Sequence, residues 1–380
     1  MTPRSALFSL CALSATAHGA SCSLTASGGD DAPAFLSAMA GSACPEVTVP
    51  SGTTLSIHTS NKHLSLQGTI KFKDNLDYWT DNAFTFDFQD QTAFWLLGGK
   101  NIVIDGGGTL DGSGQAWYDK FAKDSSIVRP ILLTIYQATN VTVENIKMIN
   151  GPEWINFVNE GTDITFKNIT ITAQSTSSSA AKNTDGWDIF RSNNVVIQDS
   201  NVVNGDDCVS FKPNATNILV SNLSCDGSHG ISVGSLNVTA TNIRMSNAQN
   251  GARIKAWAGK GVGSGIVKNI TFEGFVESNV DNPVIIDQCY MTDADECAEN
   301  PSNTYIQDVW FTSISGTSSG KEKAVVASLD CSPGARCSGI NVASITVAPP
   351  SKYGDATFDC QNVVLSGADA SKFGTCKDTS

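Results

Sequence analysis

The sequence predicts an all-β protein, a single-domain parallel β-helix with a short capping helix at its N-terminal end. Three observations carry this expectation. First, a short strand pattern recurs along the chain, starting at Asn101, Asn140, Asp163, Asn194, Asn217, Asn237, Asn269, Asp308 and Ile340. Second, the repeated segments, such as Asn101-Ile-Val-Ile-Asp105 and Asn269-Ile-Thr-Phe-Glu273, alternate β-branched or aromatic residues with polar ones and are bounded by Gly, Asn and Asp, which is strand-and-turn chemistry. Third, the intervals run from 20 to 39 residues, a period that signals a solenoid but is too irregular for propeller blades. In such a stack each coil buries its apolar residues against the next, so one elongated core serves the whole length.

The ends are read separately. Arg4, the apolar run Ala6 to Ala15 and the small residues up to Ala20 form a secretory signal over 1–19, leaving 20–380 as the β-helix domain and directing the protein outside the cell. Its removal takes Arg4 and no acid, so the net charge moves from −13 to −14. A helix begins at Asp31 and stops at Gly41, where it covers the exposed end of the stack. No later stretch approaches ~20 consecutive apolar residues, so no membrane span is expected. The acidic balance, 37 Asp and Glu against 24 Lys and Arg, excludes a nucleic-acid binder, which needs a basic face.

Cleavage of the signal removes Cys11 and leaves ten of the eleven cysteines, an even number that reads as disulfides in a secreted chain. Neighbours in sequence suggest Cys22–Cys44, Cys208–Cys225, Cys289–Cys297, Cys331–Cys337 and Cys360–Cys376. Without a CxxC and with four histidines, a zinc site is not expected, and no metal or other cofactor is. Glycosylation sequons stand at Asn140, Asn168, Asn214, Asn222, Asn237 and Asn269.

The polar residues fall into step with the coils. Asp185 to Asp207 and Asp207 to His229 are each 22 residues, and His229 to Arg253 is 24. One coil per step would stack these groups at roughly 4.8 Å on one face. Lys255, two residues beyond Arg253, points the same way, and Asn204-Gly205 supplies a bend that could present Asp206 beside Asp207. Carboxyls stacked so closely raise one another's pKa, which is the raw material for general acid–base cleavage of a glycosidic bond. Trp187 and Trp257 are read as core packing, and Gly106 to Gly112 as turns.

The series Asn183-Thr-Asp-Gly186, Gly205-Asp-Asp-Cys208, Ser228-His-Gly230 and Arg253-Ile-Lys255 resembles, in order, the four motifs of the polygalacturonase family, glycoside hydrolase family 28. The resemblance implies a right-handed parallel β-helix and metal-free, inverting hydrolysis of α-1,4-galacturonosyl bonds in pectin. It implies that Asp206 is the general acid, that Asp185 and Asp207 activate water, that His229 assists the acid, and that Arg253, Lys255 and Tyr290 contact substrate. Ser228, Phe211-Lys-Pro-Asn214 and Gly114-Gln-Ala-Trp-Tyr-Asp119 look more like exo-acting fungal members, which release galacturonic acid from the non-reducing end. Endo cleavage, action on xylogalacturonan or rhamnogalacturonan, a calcium-dependent pectate lyase and an inactive pectin-binding protein are the alternatives. A pectin chain is the one partner implied, with the protein itself a monomer. One departure stands out: exo-type members carry a longer segment after Ser235, where here Leu236 leads straight into the next strand.

Overall fold

A left-handed residue turns the chain at the start of each repeat, and the sequence marks it. In the computed structural model, which describes residues 22–27, 31–40, 46–49 and 56–379, the repeat starts Asn101, Asn140, Asp163, Asn194, Asn217, Asn237, Asn269 and Asp308 all have φ between 54° and 58°. That left-handed conformation is one that Asn and Asp tolerate better than other side chains. Their side chains also bond coil to coil: Asn140 Nδ2 donates to Asn101 Oδ1 at 2.8 Å, Asn237 to Asn217 at 2.9 Å, and Asn269 to Asn237 at 3.0 Å. The ninth start, Ile340, sits one position past its corner. Gly339 occupies that corner with φ 66°, where a Cβ would stand 2.8 Å from Asp308 Oδ1.

A representative coil runs through a short strand, Val209–Phe211, and a long strand bent at its left-handed Asn217 and Asn222, Thr216–Asp226, before the next short strand, Ile231–Val233. Neighbouring coils pair in parallel on every face, giving among the described residues one 25-stranded sheet wound on itself. Inside, Ile102, Val141, Ile164, Val195, Ile218, Val238, Ile270, Val309 and Ile340 stack in register, and all are buried. This is the continuous core that the repeat predicts.

The N-terminal helix spans Ala32–Ala40, and its Phe35 is wholly buried, edge-on to Trp95 at 5.5 Å. At the other end Phe373 closes the core and the Cys360–Cys376 disulfide fastens the tail. Three further expected disulfides are present, Cys208–Cys225, Cys289–Cys297 and Cys331–Cys337. The signal segment 1–19 and Cys44 lie outside the described residues. No helix among the described residues is long and apolar enough to cross a membrane.

The short strands Asn156–Asn159, Trp187–Phe190, Val209–Phe211, Ile231–Val233 and Asn250–Lys255 form the face that carries the site. An excursion, Phe84 to Ala93, folds over one margin of this face, where Phe88 stacks on Phe190 at 3.9 Å. The excursion thereby brings Gln89 and Gln91 to a cleft.

Candidate active site

The cleft, about 780 Å³, lies where the coils enter these short strands. It gathers Asp185, Asp206, Asp207, His229, Arg253, Lys255 and Tyr290, every site residue that the motifs single out. Parallel pairing puts Trp187 beside Val209 and Val209 beside Ile231, so Asp185, Asp207 and His229, each two residues earlier, share one stacked position as expected. Arg253 does not continue that row. It pairs with Ser232, which pairs with Ser210 and in turn with Asp188, so Arg253 lies on a parallel row three residues along. The row of His229 continues into Asn250, whose Nδ2 donates to the His229 carbonyl at 2.8 Å.

The bend before the aspartate pair is built by Asn204. Its Nδ2 reaches the carbonyls of Thr184, Asp206 and Asp207 at 2.8, 3.0 and 3.0 Å. Gly205 is obligatory beside it, because a Cβ there would stand 2.4 Å from the Ala181 carbonyl oxygen. The bend sends the two carboxylates to different surroundings, yet Asp206, Asp207 and His229 keep potential ligand atoms within 4.8 Å of one another.

Asp207 is almost wholly buried. Arg253 Nη2 and the Ser232 hydroxyl donate to its Oδ1 at 2.7 and 2.8 Å, and Lys255 Nζ donates to its Oδ2 at 2.8 Å. Ser232 itself accepts from Arg253 Nε at 2.8 Å. Burial alone would raise the Asp207 pKa, but Lys255 and Arg253 outweigh it and hold the carboxyl well below the usual range. The group is a fixed anion. The two bases expected to meet a substrate carboxylate are thus engaged by a carboxylate of the protein itself.

Asp185 is the opposite case. Burial raises its pKa well above the ordinary value, and the nearby Asp188, Asp206 and Asp207 add to the rise. Asp206 is the more accessible of the motif carboxyls, with its side chain 19% exposed. His229 Nδ1 is 3.2 Å from its Oδ1, the Asp207 N–H donates to the same oxygen at 2.9 Å, and the Asn183 N–H donates to Oδ2 at 3.2 Å.

Several groups escaped the sequence reading. Arg129, fully buried, donates to the Pro152 and Lys182 carbonyls at 2.9 and 2.7 Å and to Asn183 Oδ1 at 2.8 Å. It therefore braces the residue that contacts Asp206 across three coils, and it lies outside any repeat that could have revealed it. Lys212 Nζ is 2.8 Å from Asp188 Oδ1 and 4.6 Å from the Trp154 ring. Burial works against the Lys212 charge, but Asp188 and Asp185 prevail and raise its pKa. Burial pushes Asp188 up to about 7 in spite of that ammonium, and Glu153 likewise up to about 7. Period-two alternation from Gly186 could have flagged Asp188 as outward-facing, since it precedes Ser210 and Ser232 in one row.

Trp187 is core, as expected, whereas Trp257 is 46% exposed at the cleft wall, 5.3 Å from Tyr290, which corrects its reading as core packing. Tyr290 offers its ring to Lys255 and Arg253 at 4.9 and 5.4 Å. Five sequon residues, Asn140, Asn168, Asn222, Asn237 and Asn269, donate Nδ2 along the corner ladders, while Asn214 is exposed at a turn. Asp206, Asp207 and His229 have the donor types of a metal site, but they do not fit one. Each oxygen of Asp207 already accepts from a cation, Oδ1 from Arg253 and Oδ2 from Lys255, and a metal ion bound there would stand against both positive charges.

Residues 41–372 match the model of glycosyl hydrolases family 28. The chain belongs to this family. As a family 28 member it is 44% identical over 375 residues to an exopolygalacturonase of Cochliobolus carbonum, covering 90% of this chain and 83% of that one. It is 45% identical over 336 residues to a probable exopolygalacturonase X of Aspergillus fumigatus, covering 82% and 77%. Among solved structures, the endo-xylogalacturonan hydrolase of Aspergillus tubingensis superposes with a TM-score of 0.76 at 35% identity, over 92% of this chain and 99% of that one. The fold is the right-handed parallel β-helix of family 28 glycosidases.

Proposed function

We propose that this family 28 glycosidase is a secreted, monomeric exo-polygalacturonase that hydrolyses α-1,4-galacturonosyl bonds of pectin with inversion, releasing galacturonic acid. The observation that carries the reading is the pair of opposed environments one residue apart. Asp207 is locked as an anion by Arg253 and Lys255, and Asp206 faces the cleft beside His229. Acid and base assignments follow from carboxyls whose surroundings push them apart.

In this scheme Asp206, protonated, gives its proton to the glycosidic oxygen as the bond to the anomeric carbon breaks. Water attacks that carbon from the opposite face and passes a proton to the Asp185–Asp207 pair, whose negative charge resides on Asp207. His229 contacts the acid, and Tyr290 and Trp257 present rings to the sugars. Arg253 and Lys255 act first on Asp207, and their outer faces complete the wall that receives the galacturonate carboxylate. The likeness to two exopolygalacturonases at 44% and 45% identity supports the exo mode.

Timed product analysis on polygalacturonic acid tests the reading. Monomer at the earliest times supports exo action, and a spread of oligomers refutes it. Unsaturated products abolished by a chelator would replace hydrolysis with elimination. Loss of a peptide from the N-terminus during secretion, and glycopeptides at the sequons, are checked by mass spectrometry of the exported protein.

A further inference from the structure

Arg129 is a buried cation that the acid–base scheme leaves without a role. It stands in the wall of the cleft, yet it is only 2% exposed. Burying a guanidinium is costly unless its donors and its charge are met. The Phe121 ring, 3.8 Å from its Cζ, fixes the plane of the group. Among the described residues its ion-pair partner is Glu153, 4.0 Å from Nη2. Burial pushes Glu153 up to about 7, so below that pH this carboxyl is mainly neutral and the charge of Arg129 acts elsewhere.

Its donors lead to one oxygen of Asp206 along two amides. Nη1 donates to the Lys182 carbonyl at 2.7 Å, and the other end of the same peptide unit, the Asn183 N–H, donates to Asp206 Oδ2 at 3.2 Å. Nη2 donates to Asn183 Oδ1 at 2.8 Å, and the other end of that side-chain amide, Nδ2, donates to the same Oδ2 at 3.4 Å. A guanidinium can only donate, so it also decides how the Asn183 amide is turned, with oxygen toward Arg129 and nitrogen toward Asp206. Asn183 sits at a left-handed turn, φ 57°, a conformation that Asn tolerates. Two amide dipoles thus lie head to tail between the cation and the carboxyl. Hydrogen bonds linked in this way polarise one another, so a cation at the oxygen end makes the N–H at the far end a better donor. The other oxygen of Asp206, Oδ1, faces the Asp207 N–H and His229 instead.

We infer that Arg129 is a positioning residue for the acid: through the Lys182–Asn183 peptide and the Asn183 amide it orients Asp206 and stabilises the carboxylate left when the Asp206 proton passes to the glycosidic oxygen. The inference rests on the acid role proposed above for Asp206 and adds the residue that supports it. Negative charge develops on Asp206 as its O–H bond breaks, and donors aimed at that charge stabilise the transition state more than the neutral acid before it. A guanidinium so buried offers substrate almost no surface, so its contribution falls on kcat and not on KM.

The test measures kcat, KM and Tm on polygalacturonate for Arg129→Met, for Asn183→Gly, and for each of these combined with Asp206→Asn. Arg129→Met should lower kcat by roughly ten- to a hundredfold, part of what a general acid contributes, with KM unchanged. Asn183→Gly tolerates the left-handed turn and removes one relay of the two, so it should lose kcat in the same way but by less. It keeps the inference testable if Arg129→Met folds poorly. In the Asp206→Asn background no carboxylate forms at position 206, so either substitution should cost about twofold or less. A full, additive loss in that background overturns the inference and makes Arg129 a brace of the coils alone. An unaltered kcat in both single variants overturns it too, as does a loss confined to KM. If Asp206→Asn itself keeps most of kcat, the acid reading fails instead.

Discussion

Replacing Lys255 by Met separates two roles that one residue can play. The substitution keeps the stem and removes the ammonium that donates to Asp207 Oδ2 at 2.8 Å. Arg253 and Ser232 still serve Oδ1, so the anion loses one of its two cations. A hydrogen bond to a charged group contributes ~1.5–3 kcal/mol. At 1.36 kcal/mol per unit, its loss raises the Asp207 pKa by about one to two units. A base must be ionised to take the proton from water, so activity falls as pH drops through its pKa. The acid limb of kcat should therefore move up by about one to two pH units, with the largest losses at the acid end. Measured on polygalacturonate across the acid range, an unmoved limb with only KM increased would refute the reasoning and make Lys255 purely a substrate contact. The same profile on methyl-esterified polymer provides a control, because a shift rooted in Asp207 persists when the substrate carries no charge.

Asp206→Asn should lower kcat by on the order of 10²–10⁴ at unchanged Tm, since an amide keeps the shape but has no proton to give; retention of most of kcat would remove Asp206 from the acid role. The double variant Cys208→Ala/Cys225→Ala should lose roughly 3 kcal/mol in denaturant titrations, because the bridge spans 17 residues and its sulfurs are buried beneath the aspartate bend; an unchanged midpoint would show that the stack alone holds this coil. Glu277 is buried with neither carboxyl oxygen hydrogen-bonded among the described residues, and burial raises its pKa well above the ordinary value. Its folded form thus holds a proton that the unfolded chain has released. Its contribution is intact below the unfolded carboxyl range and is lost as pH rises through the folded pKa. Glu277→Gln should therefore gain Tm relative to the parent as pH increases, and a constant gap from pH ~5 to ~9 would contradict this.

The fold was readable because a β-helix writes its corners into the sequence. A left-handed corner selects Asn or Asp, and the coil-to-coil amide bonds select them again, so eight of nine expected starts coincide with corners. The candidate catalytic row was readable for the same reason as far as His229. It failed at Arg253 because spacing counts residues and not their place in the strand. The step from His229 to its stacked partner Asn250 is 21 residues, not 24. Nothing in the spacing shows that Arg253 returns diagonally to Asp207. Arg129 was invisible, and Lys212 stood in the quoted Phe211-Lys-Pro-Asn214 segment without a role, for a different reason. They sit on connections between strands, where length varies freely and no period marks a side chain that points inward.

The stacked geometry that made the site legible also poses its main electrostatic problem. Coils ~4.8 Å apart bring Asp185, Asp188, Asp206 and Asp207 into one low-dielectric region. Among the described residues, Arg253, Lys255 and Lys212 are the permanent cations in direct contact with them. Crowding and burial together penalise full ionisation of the four carboxyls, so the resting site favours holding protons. Where protons reside follows from burial and from the pairings. Asp207 is excluded by two cations, while burial drives Asp185 and Asp188 toward their neutral forms. With burial driving Asp185 and Asp188 toward their neutral forms and two cations holding Asp207 as an anion, the proposed scheme gives proton donation to the accessible carboxyl beside His229. The proposed division of labour between two adjacent aspartates thus comes from where the cations are placed, one row over and two coils away.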